Sequence, residues 1–213
     1  MRKRPGTGIH EIFLPGLTAG ALYKFEIIAA DGTLLPHKAD PFSFSAELRP
    51  GTASRVADLS HFCWTEADWL DARARRDPRR APMAICEVHA GAWQRAADGS
   101  FLSYDELADR LMPYVEEMGY THIELMPISE HPLDPPWGYQ PVGLFARTAR
   151  DGPPYGFAAL STGRMRRALA LYSTGCRRTF PSDAHGLSRF DGTALYKHED
   201  PRLGFHTDWY TAI

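Results

Sequence analysis

Polar and apolar residues alternate along the first fifty positions with the period of two that strands require. Ile9, Glu11 and Phe13 lead to Pro15-Gly16, and the run from Tyr23 to Ile28 leads to the turn Asp31-Gly32. The pattern supplies about three or four antiparallel strands, whereas a self-sufficient sandwich takes about seven strands and about 100 residues. Residues 1–57 therefore predict a partial β-sandwich that begins part-way through. From 58 to 80 the rhythm breaks: Trp64 and Trp69 precede the charged run Asp71 to Asp77, closed by Pro78 and Pro82, which reads as a linker or solvated helix. Beyond it the rhythm becomes strand, helix, strand. Met83 to His89 reads as a largely buried strand. Ser103 and Glu106 have capping-box spacing, Leu107, Leu111, Tyr114, Val115 and Met118 recur at helical spacing, and Gly119 closes the helix. Thr121 to Pro127 is a second strand, so 81–213 opens as a βαβ unit of a parallel sheet with a right-handed crossover.

Composition adds limits. The chain has 213 residues, 44% hydrophobic and 23% charged, and its formal net charge of −2 gives no field for nucleic acid or an anionic membrane. Cys63, Cys86 and Cys176 form neither a disulfide framework nor a metal-ligand pattern, which points to a reducing compartment. No apolar run approaches the roughly 18 residues of a membrane span, and Pro5 to Gly8 stand where a signal peptide needs its apolar stretch. The expectation is a cytoplasmic protein without metal or cofactor.

Several separated strings carry a resemblance. Glu87 to Trp93, Glu124 to Pro132, Trp137-Gly138-Tyr139-Gln140, Phe180 to Leu187, Phe190 to Tyr196 and Asp208-Trp209 fall in one order and spacing. Together they resemble the glycogen branching enzymes, the 1,4-α-glucan branching enzymes of the α-amylase superfamily. Lys38 to Pro41 and Ala46 to Ala53 are similar to later strands of that family's N-terminal carbohydrate-binding sandwich. The fold implied is α/β, an incomplete (β/α)8 TIM barrel with its first strands only, preceded by a partial N-terminal β-sandwich.

Residues 132–140 follow a strand's C-terminal end, where barrel active sites are built, and offer flat rings beside an amide. The resemblance matches Tyr139 to the tyrosine lining the sugar subsite at the cleavage point. Trp137 and Gln140 follow as substrate-binding candidates, and Asp134 is a candidate hydroxyl acceptor. Glu87, His89, Glu130 and His131 stay open between structural bonding and sugar contact. The partner implied is an α-glucan, glycogen or a maltooligosaccharide.

The family reaction is a retaining transfer that needs two positioned carboxyls, with a glucan 6-hydroxyl as acceptor forming an α-1,6 branch. By the resemblance those carboxyls lie on later barrel strands, past the point matched by Asp208 to Ile213, so no catalytic residue is assigned and these residues are expected to be inactive alone. Length agrees, since a (β/α)8 barrel takes about 250 residues.

Residues 161–179 depart from the family pattern although the spacing across them is kept. Where the family has a buried strand ending Asp-Trp-Val-Pro, this chain carries Arg164, Arg166, Arg167, Arg177 and Arg178. One permitted encoding of Ser161 to Thr179, shifted by one added base, translates as Val-Asp-Gly-Pro-His-Ala-Ala-Gly-Ile-Gly-Val-Ile-Leu-Asp-Trp-Val-Pro-Ala-His. Each regrouped codon takes its middle and last bases from the first two bases of an observed codon, which the protein largely fixes. The segment therefore reads as frameshifted, and the barrel is expected to be incomplete or locally disordered from about Asp151 to Thr179. A basic helix for a polyanion is the competing reading of these arginines. For the whole chain, two alternatives stand beside the broken branching enzyme. One is a non-catalytic glucan-binding or interaction module. The other, a related enzyme of trehalose or debranching metabolism, fits Glu130-His131-Pro132 and Asp191-Gly192-Thr193 less well.

Overall fold

Ser103 and Gly119 bracket the best-specified element. The Ser103 hydroxyl accepts from the Glu106 amide and the Glu106 carboxylate accepts from the Ser103 amide, so two of the first turn's free N–H groups are satisfied. At the other end Gly119 takes φ +76°, and the Tyr120 and Gly119 amides bond back to Val115 and Glu116 in a Schellman closure. In this computed structural model residues 1–60, 62–132, 138–166, 169–175, 179–209 and 211–213 are described, with backbone alone for 163–166.

The N-terminal part consists of short antiparallel pieces. β1 (Arg2–Lys3) pairs with β2 (His10–Glu11), and β3 (Leu22–Tyr23), β4 (Ser45–Ala46) and β5 (Ser54–Arg55) form a sheet ordered β3-β5-β4. Isolated bridges Phe25 to Lys38 and Ile28 to Leu34 extend the pattern, and Gly32 turns between the latter pair at φ +85°. Large apolar side chains remain exposed here, Phe13 at 87% and Ile28 at 69%, so this part buries little core of its own. α1 (Ala67–Ala74) buries no residue, as the charged run implies.

β6 (Ile85–Val88), α2 (Ala90–Trp93), α3 (Tyr104–Glu117), β7 (His122–Leu125), a 3₁₀ turn (Ala149–Asp151), α4 (Pro154–Arg166) and β8 (Ala170–Ser173) follow in order. The three strands are parallel in the order β6-β7-β8, with Cys86, Ile123 and Leu171 in one register row and Glu87, Glu124 and Tyr172 in the next. α3 and α4 pack on each other and on one sheet face, where Val88, Ile123 and Leu125 meet Leu107, Leu111, Val115 and Leu160. The other face carries Glu87, His122, Glu124 and Tyr172. β9 (Phe205–His206) and β10 (Thr211–Ala212) close the chain as an antiparallel pair, with Phe180 bridged to Ala212.

Two expectations are corrected. Met83 to His89 is not largely buried: Ile85 is 42% exposed and only Val88 of β6 lies in the core, because an edge strand with helices on one face hides only alternate residues. The stretch 151–179 is not disordered across its described residues: α4 runs to Arg166, Leu169 is 4% exposed and β8 joins β7 in parallel. The reason is local. Leu169 and Leu171 alternate toward the core, and the arginines of the segment fall before or after that short apolar run. Arg167, Arg177 and Arg178 themselves lie outside the described residues.

Candidate functional site

The chain leaves the C-terminal end of β7 into a long loop whose stem is a two-stranded ribbon. Thr148 N–H donates to Ile128 O at 2.8 Å, Glu130 N–H to Ala146 O at 2.9 Å, and Ser129 bridges Arg147. Beyond the stem the described residues of this loop are Pro132 and 138–141. Gly138 returns the chain to the stem at φ +79°, and a Cβ placed there would meet the Pro127 carbonyl oxygen at 2.4 Å, so both conformation and space demand glycine. Tyr139 follows with 39% of its surface exposed, and Gln140 is half-buried beside it. The fold thus presents Tyr139 and Gln140 together at the tip. Trp137 and Asp134 lie outside the described residues.

Beneath the tip is a buried polar cluster that sequence reasoning left unassigned. Glu130 and Arg150, their side chains 7% and 5% exposed, form an ion pair at 2.9 Å. Glu130 also accepts from the Ala149 amide at 2.7 Å and from the His131 amide, while Arg150 donates to the Thr148 hydroxyl. Burial raises the Glu130 carboxyl, and the Ala149 N–H and the Arg150 charge oppose that shift. Glu130 therefore ties the stem to the 3₁₀ turn. His131 is 7% exposed and its Nδ1 bonds Ser129 O at 2.9 Å, again within the stem. Asp151, 5% exposed, is pushed up to about 7 by burial, with Arg150 opposing the shift and Glu130 adding to it. The signal for this cluster was present in the sequence as Thr148-Ala149-Arg150-Asp151, but nothing in spacing alone pairs it with Glu130.

The N-terminal part reaches the same loop. The Arg49 guanidinium donates to Pro132 O, Ser45 bridges Arg147, and Phe42 stacks on Phe145 with centroids 5.8 Å apart. Between them lies an open cleft of about 540 Å3, lined by Asp40, Glu47, Arg49, Glu130, His131 and His185 among others. Tyr23 donates to Asp40 at 2.7 Å, and its hydroxyl is pushed up to about 12 by burial and that bond. The loop's base, Glu130 to Pro132, lines this cleft, and Tyr139 is not among its lining residues. No group of His, Cys, Asp and Glu among the described residues is placed to hold a metal ion, and none of their helices is long and apolar enough to cross a membrane.

Comparison with known proteins gives a consistent result. The chain is 56% identical over all 213 of its residues to the 1,4-alpha-glucan branching enzyme GlgB of Mesorhizobium japonicum, 29% of which it covers. It is 55% identical over the same length to GlgB of Rubrobacter xylanophilus, covering 29%, and 54% identical to GlgB of Rhizobium meliloti, covering 29%. The chain thus spans under a third of the length of these curated relatives. Among solved structures, a putative alpha amylase from Salmonella typhimurium superposes with a TM-score of 0.68 at 22% identity, over 94% of this chain and 30% of that one. That likeness concerns the fold, which is α-amylase-like. No family model matches the chain.

Proposed function

From a chain related along its whole length to the glycogen branching enzymes, we propose that residues 126–148 are one wall of the α-glucan site of such an enzyme, on the C-terminal rim of a (β/α)8 barrel that β6, β7 and β8 begin. Tyr139 is the ring on which a glucose face stacks, Gln140 bonds hydroxyls, and Trp137 and Asp134 complete the wall. Residues 1–57 are part of a carbohydrate-binding sandwich, and the protein works in the cytoplasm. The observation that carries this reading is Tyr139, half-exposed at the end of a loop leaving a parallel strand and held in place by Gly138 against Pro127.

The 213 residues by themselves do not branch glucans. The family's nucleophile and acid follow the segment that this chain matches, and a retaining transfer has no route without them. Glu130, a buried carboxylate of the loop, is ion-paired with Arg150. Stacking on one ring contributes about 1 kcal/mol, whereas millimolar affinity takes about −4 kcal/mol. Chemical-shift mapping with maltose raised to hundreds of millimolar tests the wall: non-saturating shifts centred on Tyr139 and Gln140 are expected, and shifts confined to other regions contradict it. Micromolar binding lost in Tyr139→Ala would instead favour a self-sufficient glucan-binding module.

Residues 161–179 are read one frame away from the family's own strand. The match to the relatives runs over the full chain and so continues on both sides of this segment. The DNA itself decides: translated one frame over, it should give an apolar strand ending Asp-Trp-Val-Pro, and a stop codon or an unrelated translation would refute the frameshift.

A further inference from the structure

A second cleft, of about 430 Å3, is lined by Leu35, Pro36 and Lys38 of the N-terminal part and by residues of the segment after β8, and adjoins the first at Asp183. Its most unusual lining residue is Lys38. The residue is 3% exposed, and its ammonium donates to a backbone carbonyl, Ala184 O, at 2.6 Å. An ammonium carries three donors and pays a large desolvation cost when buried, which a carboxylate normally offsets. Here no carboxylate among the described residues forms an ion pair with it. Burial pulls its pKa down, in keeping with that lack of a counter-charge.

Two further cations line the same space. Arg189 has one described bond, to the Gly192 carbonyl at 3.4 Å, and Lys197 has no described side-chain bond. Neither is ion-paired with a described carboxylate. One acid, Asp183, also lines the cleft, so three cations face one carboxylate. Leu35 and Phe205 supply apolar wall, leaving room for an organic group beyond the charged end. The overall net charge is −2, so this concentration of positive charge is local rather than a reflection of composition.

We propose that the cleft between Lys38, Arg189 and Lys197 binds a phosphate monoester, the dianion completing the coordination of the buried Lys38 ammonium. A compact, doubly charged group with several acceptor oxygens fits a cleft lined by three cationic side chains better than a carboxylate does. The apolar wall takes the ester's organic part.

The test uses the full chain at low ionic strength, titrated by calorimetry with inorganic phosphate and, in a second arm, with glucose 6-phosphate. Saturable binding at millimolar phosphate is expected, with tighter binding of the ester if the wall is used. Lys197→Gln and Arg189→Gln, both outside the core, should each weaken binding about tenfold, the effect of losing one charged hydrogen bond. Lys3→Gln, an exposed cation elsewhere, should leave it unchanged. Absence of saturable binding in both arms would overturn the proposal, as would an equal loss in the Lys3 variant, which would mean diffuse charge. The two exposed-side variants discriminate where Lys38→Met does not, since burial of Lys38 makes misfolding an alternative cause of loss.

Discussion

Asp151 shows what one buried side chain does to the molecule. Its carboxyl, held at about 7 by burial, keeps its proton in the folded chain at pH values where the unfolded chain has lost it. Below about pH 4 both states are protonated and the group contributes no pH dependence. As pH rises from there toward 7 the unfolded state is increasingly favoured, and above 7 the cost is complete, up to about 4 kcal/mol for a shift of this size. Stability therefore falls with rising pH through that window, and Asp151→Asn should flatten the slope and be the more stable variant at pH 8. Urea unfolding at pH 5 and pH 8 checks it; an unchanged difference between the two pH values in the variant would contradict the assignment. Gly138 makes a purely steric case. Gly138→Ala must place a Cβ 2.4 Å from the Pro127 oxygen at positive φ, with an expected loss of about 1–3 kcal/mol. Gly143→Ala, in open space on the same loop and without that backbone demand, should be near neutral. Equal effects at the two positions would remove the reason for the tip's conformation.

At the level of elements, the ends of α3 were legible and the start of β8 was not. Ser103, Glu106 and Gly119 act through local backbone chemistry, so spacing alone identifies them, and Ser103→Ala should cost about 1 kcal/mol in thermal or urea unfolding. β6 was legible as a strand but not as a half-exposed one, because burial depends on what covers each face and that is decided by helices distant in sequence. β8 was hidden by its neighbours: five arginines within 161–179 suggested disorder, yet four residues between them suffice to pair with β7. The Tyr139 tip was read correctly as a loop after a strand, whereas the Glu130 to Arg150 pair spans twenty positions and carries no periodic signature. Hydrogen exchange distinguishes the strands. β7, paired on both sides, should exchange slowest, and β8, with Tyr172 46% exposed, clearly faster. Protection of Leu171 equal to that of Ile123 would speak against the frameshifted reading of the segment.

Across the whole molecule, α3 and α4 cover one face of the parallel sheet, and on the other face Glu87 and Tyr172 are exposed and His122 and Glu124 half-buried. In a closed (β/α)8 barrel that face is the interior, filled by layers from all eight strands. In the proposed reading the three described strands hold one glucan-facing loop of such a barrel, and the 213 residues correspond to under a third of each branching-enzyme relative. The most direct test is to incubate the purified chain with amylose and follow the α-1,6 anomeric proton signal by NMR against a heat-killed control. The account predicts no increase at any protein concentration. An α-1,6 signal that grows with time and in proportion to the chain, with contaminating enzyme excluded, would contradict it.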